Sequence, residues 1–160
     1  MTFSPKILVY GFGNPGRQDD GLGIRLVESL EEWAAKMRWE NIQFDSNYQL
    51  NIEDADVIKD KDIVIFADAT VDENVKDFLI TKVEPSEKVE FTMHAVSPGF
   101  ILYLCESMNK TKPETYLVHI RGYEWELKEG LTDKAYLNLY TARNYIEKMI
   151  LDKFKQKKQL

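Results

Sequence analysis

The chain has 160 residues, with 21 basic against 27 acidic side chains, a net charge of −6 and a single cysteine, Cys105. That length suits one domain with a substantial core, expected over residues 1–160, and the acidic balance disfavours nucleic acid as a partner because neutralising phosphate needs a basic surface. A lone cysteine excludes an intramolecular disulfide, no apolar run approaches the ~20 residues of a membrane span, and Met1 to Lys6 lacks a signal-like start, so a cytoplasmic protein without membrane insertion is expected.

The apolar run Ile7-Leu8-Val9-Tyr10 predicts a strand, and it leads into Gly11-Phe12-Gly13-Asn14-Pro15-Gly16-Arg17-Gln18-Asp19-Asp20-Gly21-Leu22-Gly23, with five glycines around two adjacent acids. Leu22, Leu26, Val27, Leu30, Trp33, Ala34 and Met37 then recur at helical spacing, which predicts a helix over 19–39 with one buried face. Ile42 and Phe44 alternate in a short strand ending at Asp45, and 51–55 predicts a short helix. Residues 62–68 form an apolar run between two acids, as expected of a strand at the sheet centre. Phe78 to Val83 reads as an edge strand, since charge returns on both sides.

Ser97-Pro98 supplies a cap and a first-turn proline for a helix whose inner face is Ile101, Leu104, Cys105 and Met108. Tyr116 to Ile120 gives a further strand, and Thr132 caps a last helix with Leu139, Ala142, Ile146, Met149 and Ile150 inward. Its terminal lysines, Lys153, Lys155, Lys157 and Lys158, are expected to offset the helix dipole and fray into solvent. Alternating strands and helices predict a three-layer α/β/α fold with a mostly parallel, five-stranded twisted sheet and one antiparallel edge strand. Ligands of such sheets gather beyond the carboxyl ends of the strands.

The glycine loop formally matches G-x-G-x-x-G, with Asp45 where a dinucleotide site would hold a ribose. Against that reading, Asp19 and Asp20 stand at the helix start and would repel a phosphate, so the loop's chemistry points to a cation. Gly13-Asn14-Pro15-Gly16 also resembles the opening of peptidyl-tRNA hydrolase, but no histidine follows it, and both histidines of the chain lie far downstream. Asp20 and the strand-end acid Asp68 project over the same edge of a parallel sheet, and together with an imidazole they form a donor set suited to a divalent transition metal with open positions. Taken singly, each acid has a plain structural alternative: Asp19 is the better helix N-cap of its pair, and Asp68 terminates a strand.

The pattern from Gly11 to Gly23 resembles the signature of the hydrogenase maturation endopeptidases, which trim the C-terminal tail of the large subunit of nickel-iron hydrogenases. Tyr48-Gln49-Leu50 with Glu53, Phe66-Ala67-Asp68-Ala69 and His94-Ala95-Val96-Ser97-Pro98 agree with that family in order and spacing, so the similarity spans residues 6–150. The resemblance implies that Asp20, Asp68 and His94 hold a metal, with Asp20 and Asp68 as the catalytic acids of an aspartic-type or metal-dependent endopeptidase. It further implies that nickel arrives with the large-subunit precursor. The isolated protein, expected to be a monomer, would then be empty or carry an adventitious divalent ion.

Some members of that family place the histidine directly after Ser-Pro, where this chain has Gly99, whereas His94 fits a His-x-x-Ser-Pro order. His119 alternates with apolar neighbours and reads as a strand residue, Cys105 as core. Gly21 and Gly23 each weaken a helix by roughly 1 kcal/mol relative to alanine, a cost that makes sense where another backbone lies close. Gly13, Asn14, Gly21 and Gly23 are therefore read as a substrate-approach loop, with Asn14 and Gly16 suited to left-handed or tight-turn geometry. A dinucleotide-binding Rossmann-type module and a non-enzymatic nickel-dependent checkpoint are the alternatives.

Overall fold

The computed structural model describes residues 4–88 and 96–158. Five strands form one sheet: β1 (Ile7–Phe12), β2 (Ile42–Asn47), β3 (Ile63–Thr70), β4 (Phe78–Lys82) and β5 (Glu114–Arg121), in the order β2-β1-β3-β5-β4. The pairs β1–β2, β1–β3 and β3–β5 are parallel, and β4 runs antiparallel to β5 at the edge, as expected. Side chains alternate between the two sheet faces, so the apolar runs of β1 and β3 serve both. Ile7, Val9, Ile63, Ile65 and Ala67 pack against α1 (Leu22–Lys36) and α4 (Asp133–Lys158). Leu8, Tyr10, Val64 and Phe66 pack against α2 (Asp54–Ile58) and α3 (Pro98–Asn109), which completes three layers.

The local signals at the helix starts act as expected. Ser97 has extended backbone geometry and its hydroxyl accepts from Phe100 N at 3.2 Å, with Pro98 in the first turn. Thr132 Oγ1 accepts from Ala135 N at 3.3 Å and caps α4. Other expectations shift. The helix expected over 51–55 is observed as Asp54–Ile58, because its entry turn makes the tighter bonds Asp54 N to Asn51 O and Ala55 N to Ile52 O. The Asp54 carboxylate closes that turn by accepting Asn51 N at 2.8 Å while also accepting the Tyr10 hydroxyl at 3.1 Å. Met37 falls beyond the end of α1 and Met108 lies in the last turn of α3, and they are 46% and 71% exposed, while Leu102 joins the core instead. The terminal lysines do not all fray. α4 continues to Lys158, and Lys153 Nζ reaches the Glu114 carboxylate at 2.6 Å, tying the helix end to β5.

Among the described residues no helix is long and apolar enough to cross a membrane.

Candidate active site

β1 delivers the chain into a turn built by Asn14. Its side-chain oxygen accepts from Gly16 N at 2.9 Å and its carbonyl from Arg17 N at 3.0 Å. The left-handed backbone falls elsewhere than expected: Gln18 has φ +47°, and Gly13 has φ +138°, whereas Asn14 and Gly16 stay at negative φ. A short 3-10 turn, Gln18–Gly21, then precedes α1, which therefore starts at Leu22. This places Asp20 against the loop, where its Oδ2 accepts from Asn14 N at 2.8 Å. That amide is one a dinucleotide loop would offer to pyrophosphate. Here the chain's own carboxylate takes it, and Asp45 accepts from its neighbour Ser46 N. The site thus disfavours the dinucleotide reading.

Asp19 is not a helix cap. It is fully buried, and its carboxylate accepts from Tyr123 N (2.8 Å), Glu124 N (3.1 Å), Thr132 N (2.8 Å) and Thr132 Oγ1 (2.8 Å). Gln18, also buried, accepts from Glu126 N at 3.0 Å and donates to Glu124 at 3.2 Å. These two side chains fasten the loop between β5 and α4 to the turn that carries Asp20. A buried carboxylate is tolerated only with such a full set of donors.

The chain leaves β1 for β2 on one side and returns across β1 to β3 on the other, so the carboxyl ends of β1 and β3 flank the switch point of the sheet. Asp68 lies there, near the end of β3. Burial pushes its carboxyl up from the ordinary 3.8 to about 7, the Ala69 N–H donated to Oδ1 at 2.8 Å opposes this, and the nearby negative charge of Asp20 adds to it. The two acids therefore share one electrostatic environment, and Asp68 can carry a proton near neutrality.

The third expected donor, His94, lies outside the described residues. Among the described residues no group of three or more His, Cys, Asp or Glu side chains could hold one metal ion. His119 is packed, as expected for a strand residue, but it is also the register partner of Asp68 on the neighbouring strand. Its Nε2 lies 3.0 Å from Thr81 Oγ1, and burial lowers its pKa, so the ring is neutral at pH 7. Cys105 is buried and its thiol is pushed up by burial, consistent with core.

The glycines admit close approach of the chain's own backbone. A Cβ on Gly23 would stand 2.3 Å from Ala67 O and 2.9 Å from Phe12 O, and one on Gly21 would stand 2.8 Å from Pro15 Cα. One on Gly13 would stand 2.1 Å from Asp20 O. Internal packing is sufficient to require glycine at these three positions. They let α1 sit close against β1 and β3, with Asp20 within electrostatic reach of Asp68.

Fold and site together define an α/β protein with a pair of carboxylates at the switch point of its sheet. No family model matches the chain, and no curated protein matches it significantly. Solved structures do. The hydrogenase maturating endopeptidase HybD from E. coli is 21% identical, with 92% of this chain and 93% of that chain covered and a TM-score of 0.74. The [NiFe] hydrogenase maturation protease HycI from Thermococcus kodakarensis KOD1 is 16% identical over 92% and 93%, with a TM-score of 0.73. The hydrogenase 2 maturation peptidase from Thaumarchaeota archaeon SCGC_AB-539-E09 is 20% identical over 91% and 97%, with a TM-score of 0.67. At such identities the likeness is one of fold, and it extends over nearly the whole of each chain.

Proposed function

We propose that this protein is an endopeptidase that removes the C-terminal tail of a nickel-loaded [NiFe] hydrogenase large-subunit precursor. The observation that carries the proposal is the carboxylate pair of Asp20 and Asp68 at the switch point of a fold whose solved relatives are named as hydrogenase maturation proteases. The residues present suit a divalent ion delivered by the substrate. Asp20 is anchored through Oδ2 and has Oδ1 without a hydrogen-bond partner among the described residues, and Asp68 is held through Oδ1. Hard and borderline cations accept such oxygen donors, and His94 is the proposed nitrogen donor.

In this reading Asp20 and Asp68 orient the precursor by taking up its nickel. The ion would also supply Lewis acidity next to the scissile bond. With the ion instead only positioning the precursor, an Asp68 carboxyl raised by burial to about 7 acts as general base toward water and returns the proton to the leaving amine. The precursor is the partner, nickel is its cargo, and the work is expected in the cytoplasm by a monomer.

Mass spectrometry of a nickel-loaded precursor incubated with the protein tests the proposal. Loss of the C-terminal tail is expected with the wild type, and a drop of about 100-fold or more in rate is expected for Asp20→Asn and Asp68→Asn. An intact tail after incubation with folded wild type overturns the enzyme reading in favour of a non-cleaving checkpoint. Undiminished cleavage by Asp20→Asn removes that acid from the mechanism.

A further inference from the structure

On the face of the sheet opposite α1 and α4, α2 and α3 are the helices that cover the strands among the described residues, and they leave an apolar groove of about 500 Å³ between them. Ala55, Phe100 and Leu104 form its less exposed part. Ile52, in the turn before α2, and Met108, in the last turn of α3, stand at its margins, 57% and 71% exposed, and neither belongs to the buried core. The charged side chains lining it are both acids, Glu53 and Asp56, of which Asp56 also pairs with Lys59 at 3.3 Å on the helix surface. An isolated exposed methionine or isoleucine is ordinary, but two that face one groove with half-buried aromatic and aliphatic neighbours make a continuous apolar strip.

The topology connects this groove to the carboxylates. The loop after β2 and the start of α3 both lie at the carboxyl edge of the sheet, since α3 leads back to the opposite edge where β5 begins. The end of the groove formed by Ile52, Glu53 and Phe100 therefore opens toward the edge that carries Asp20 and Asp68.

We propose that the groove between α2 and α3 docks an apolar segment of the protein substrate that carries lysine or arginine beside its apolar residues, at a distance from the bond that is cut. This rests on the processing reading above. The apolar strip supplies the contact area, and Glu53, with Asp56 exchanging its exposed Lys59 pair, selects a basic over an acidic segment. The arrangement lets binding energy gathered away from the reacting atoms hold the tail in place.

The test uses the full chain and the nickel-loaded large-subunit precursor, comparing wild type with Ile52→Glu, Met108→Glu and Asp56→Lys, all at exposed positions outside the carboxylate site. Cleavage kinetics and direct binding of the precursor by biolayer interferometry are measured together, with thermal melts to confirm folding. Each variant is expected to raise KM and the precursor Kd by about tenfold and leave kcat unchanged. A wild-type protein that cleaves, with folded variants within twofold of it in KM and Kd, overturns the groove and leaves the processing reading intact. A wild type that neither binds nor cleaves overturns both. A wild-type oligomer that the substitutions dissociate in analytical ultracentrifugation assigns the groove to a second copy of the chain and overturns its role for substrate.

Discussion

Asp68 holds its proton to about pH 7 in the metal-free protein, whereas an ordinary aspartate releases it near 3.8, and this difference is a statement about stability. The folded state binds the proton more tightly than the unfolded chain, so folding is favoured at low pH and loses that contribution as pH rises from about 4 to about 7. Asp68→Asn lacks the ionising group. Its melting temperature relative to wild type should therefore climb between pH 4 and pH 8, by several degrees for a domain of this size. Parallel pH dependences of the two proteins in differential scanning calorimetry would contradict the assigned cause. Asp19 shows what the sequence conceals at this scale. Two adjacent acids before a helix suggest one cap and one functional group, and the structure instead spends the first on backbone amides 104 to 113 positions away. Nothing local to Asp19 encodes those partners.

Elements whose ends are decided by short-range chemistry were legible. Ser97-Pro98 and Thr132 carry their own capping donors and acceptors, and the buried runs of β1 and β3 announce a sheet interior. α2 follows a tight entry turn at 51–53, and its Asp54 also binds Tyr10 on β1, a contact across 44 residues that no helical periodicity reflects. The glycines of the first helix make the sharpest contrast between local and tertiary rules. By helix propensity alone, Gly23→Ala should stabilise by about 1 kcal/mol. In the fold its Cβ would stand 2.3 Å from Ala67 O and 2.9 Å from Phe12 O, both backbone atoms that cannot step aside. The substitution must therefore push α1 off β3, with a loss of roughly 2 kcal/mol or more in urea unfolding. A stabilised Gly23→Ala protein would show that the helix start is not fixed against the sheet. Because Asp20 rides on that start, the same variant should also slow processing.

At the scale of the molecule, alternating strands and helices are enough to predict three layers and a mostly parallel sheet. The strand order was not foreseen, since it depends on which crossover packs on which face. That order sets a gradient of protection. β1 and β3 have strands on both sides and helices on both faces, and residues Leu8 to Tyr10 and Val64 to Ala67 are at most 1% exposed. Among the described residues β4 pairs with β5 alone, runs antiparallel to it, and leaves Leu79 48% exposed. Edge strands held on one side open locally at a free-energy cost below that of global unfolding. Native-state hydrogen exchange should accordingly find the β4 amides bonded to β5 at least about tenfold faster than those of β1 and β3, a gap of ~1.4 kcal/mol or more. Asp68 sits on a strand from the protected interior, and Asp20 on a turn clamped to that interior by Gly13 and Gly23. The pair should thus stay preorganised while the edge breathes, and equal exchange rates in β4 and β3 would remove the rigid frame on which the proposed chemistry depends.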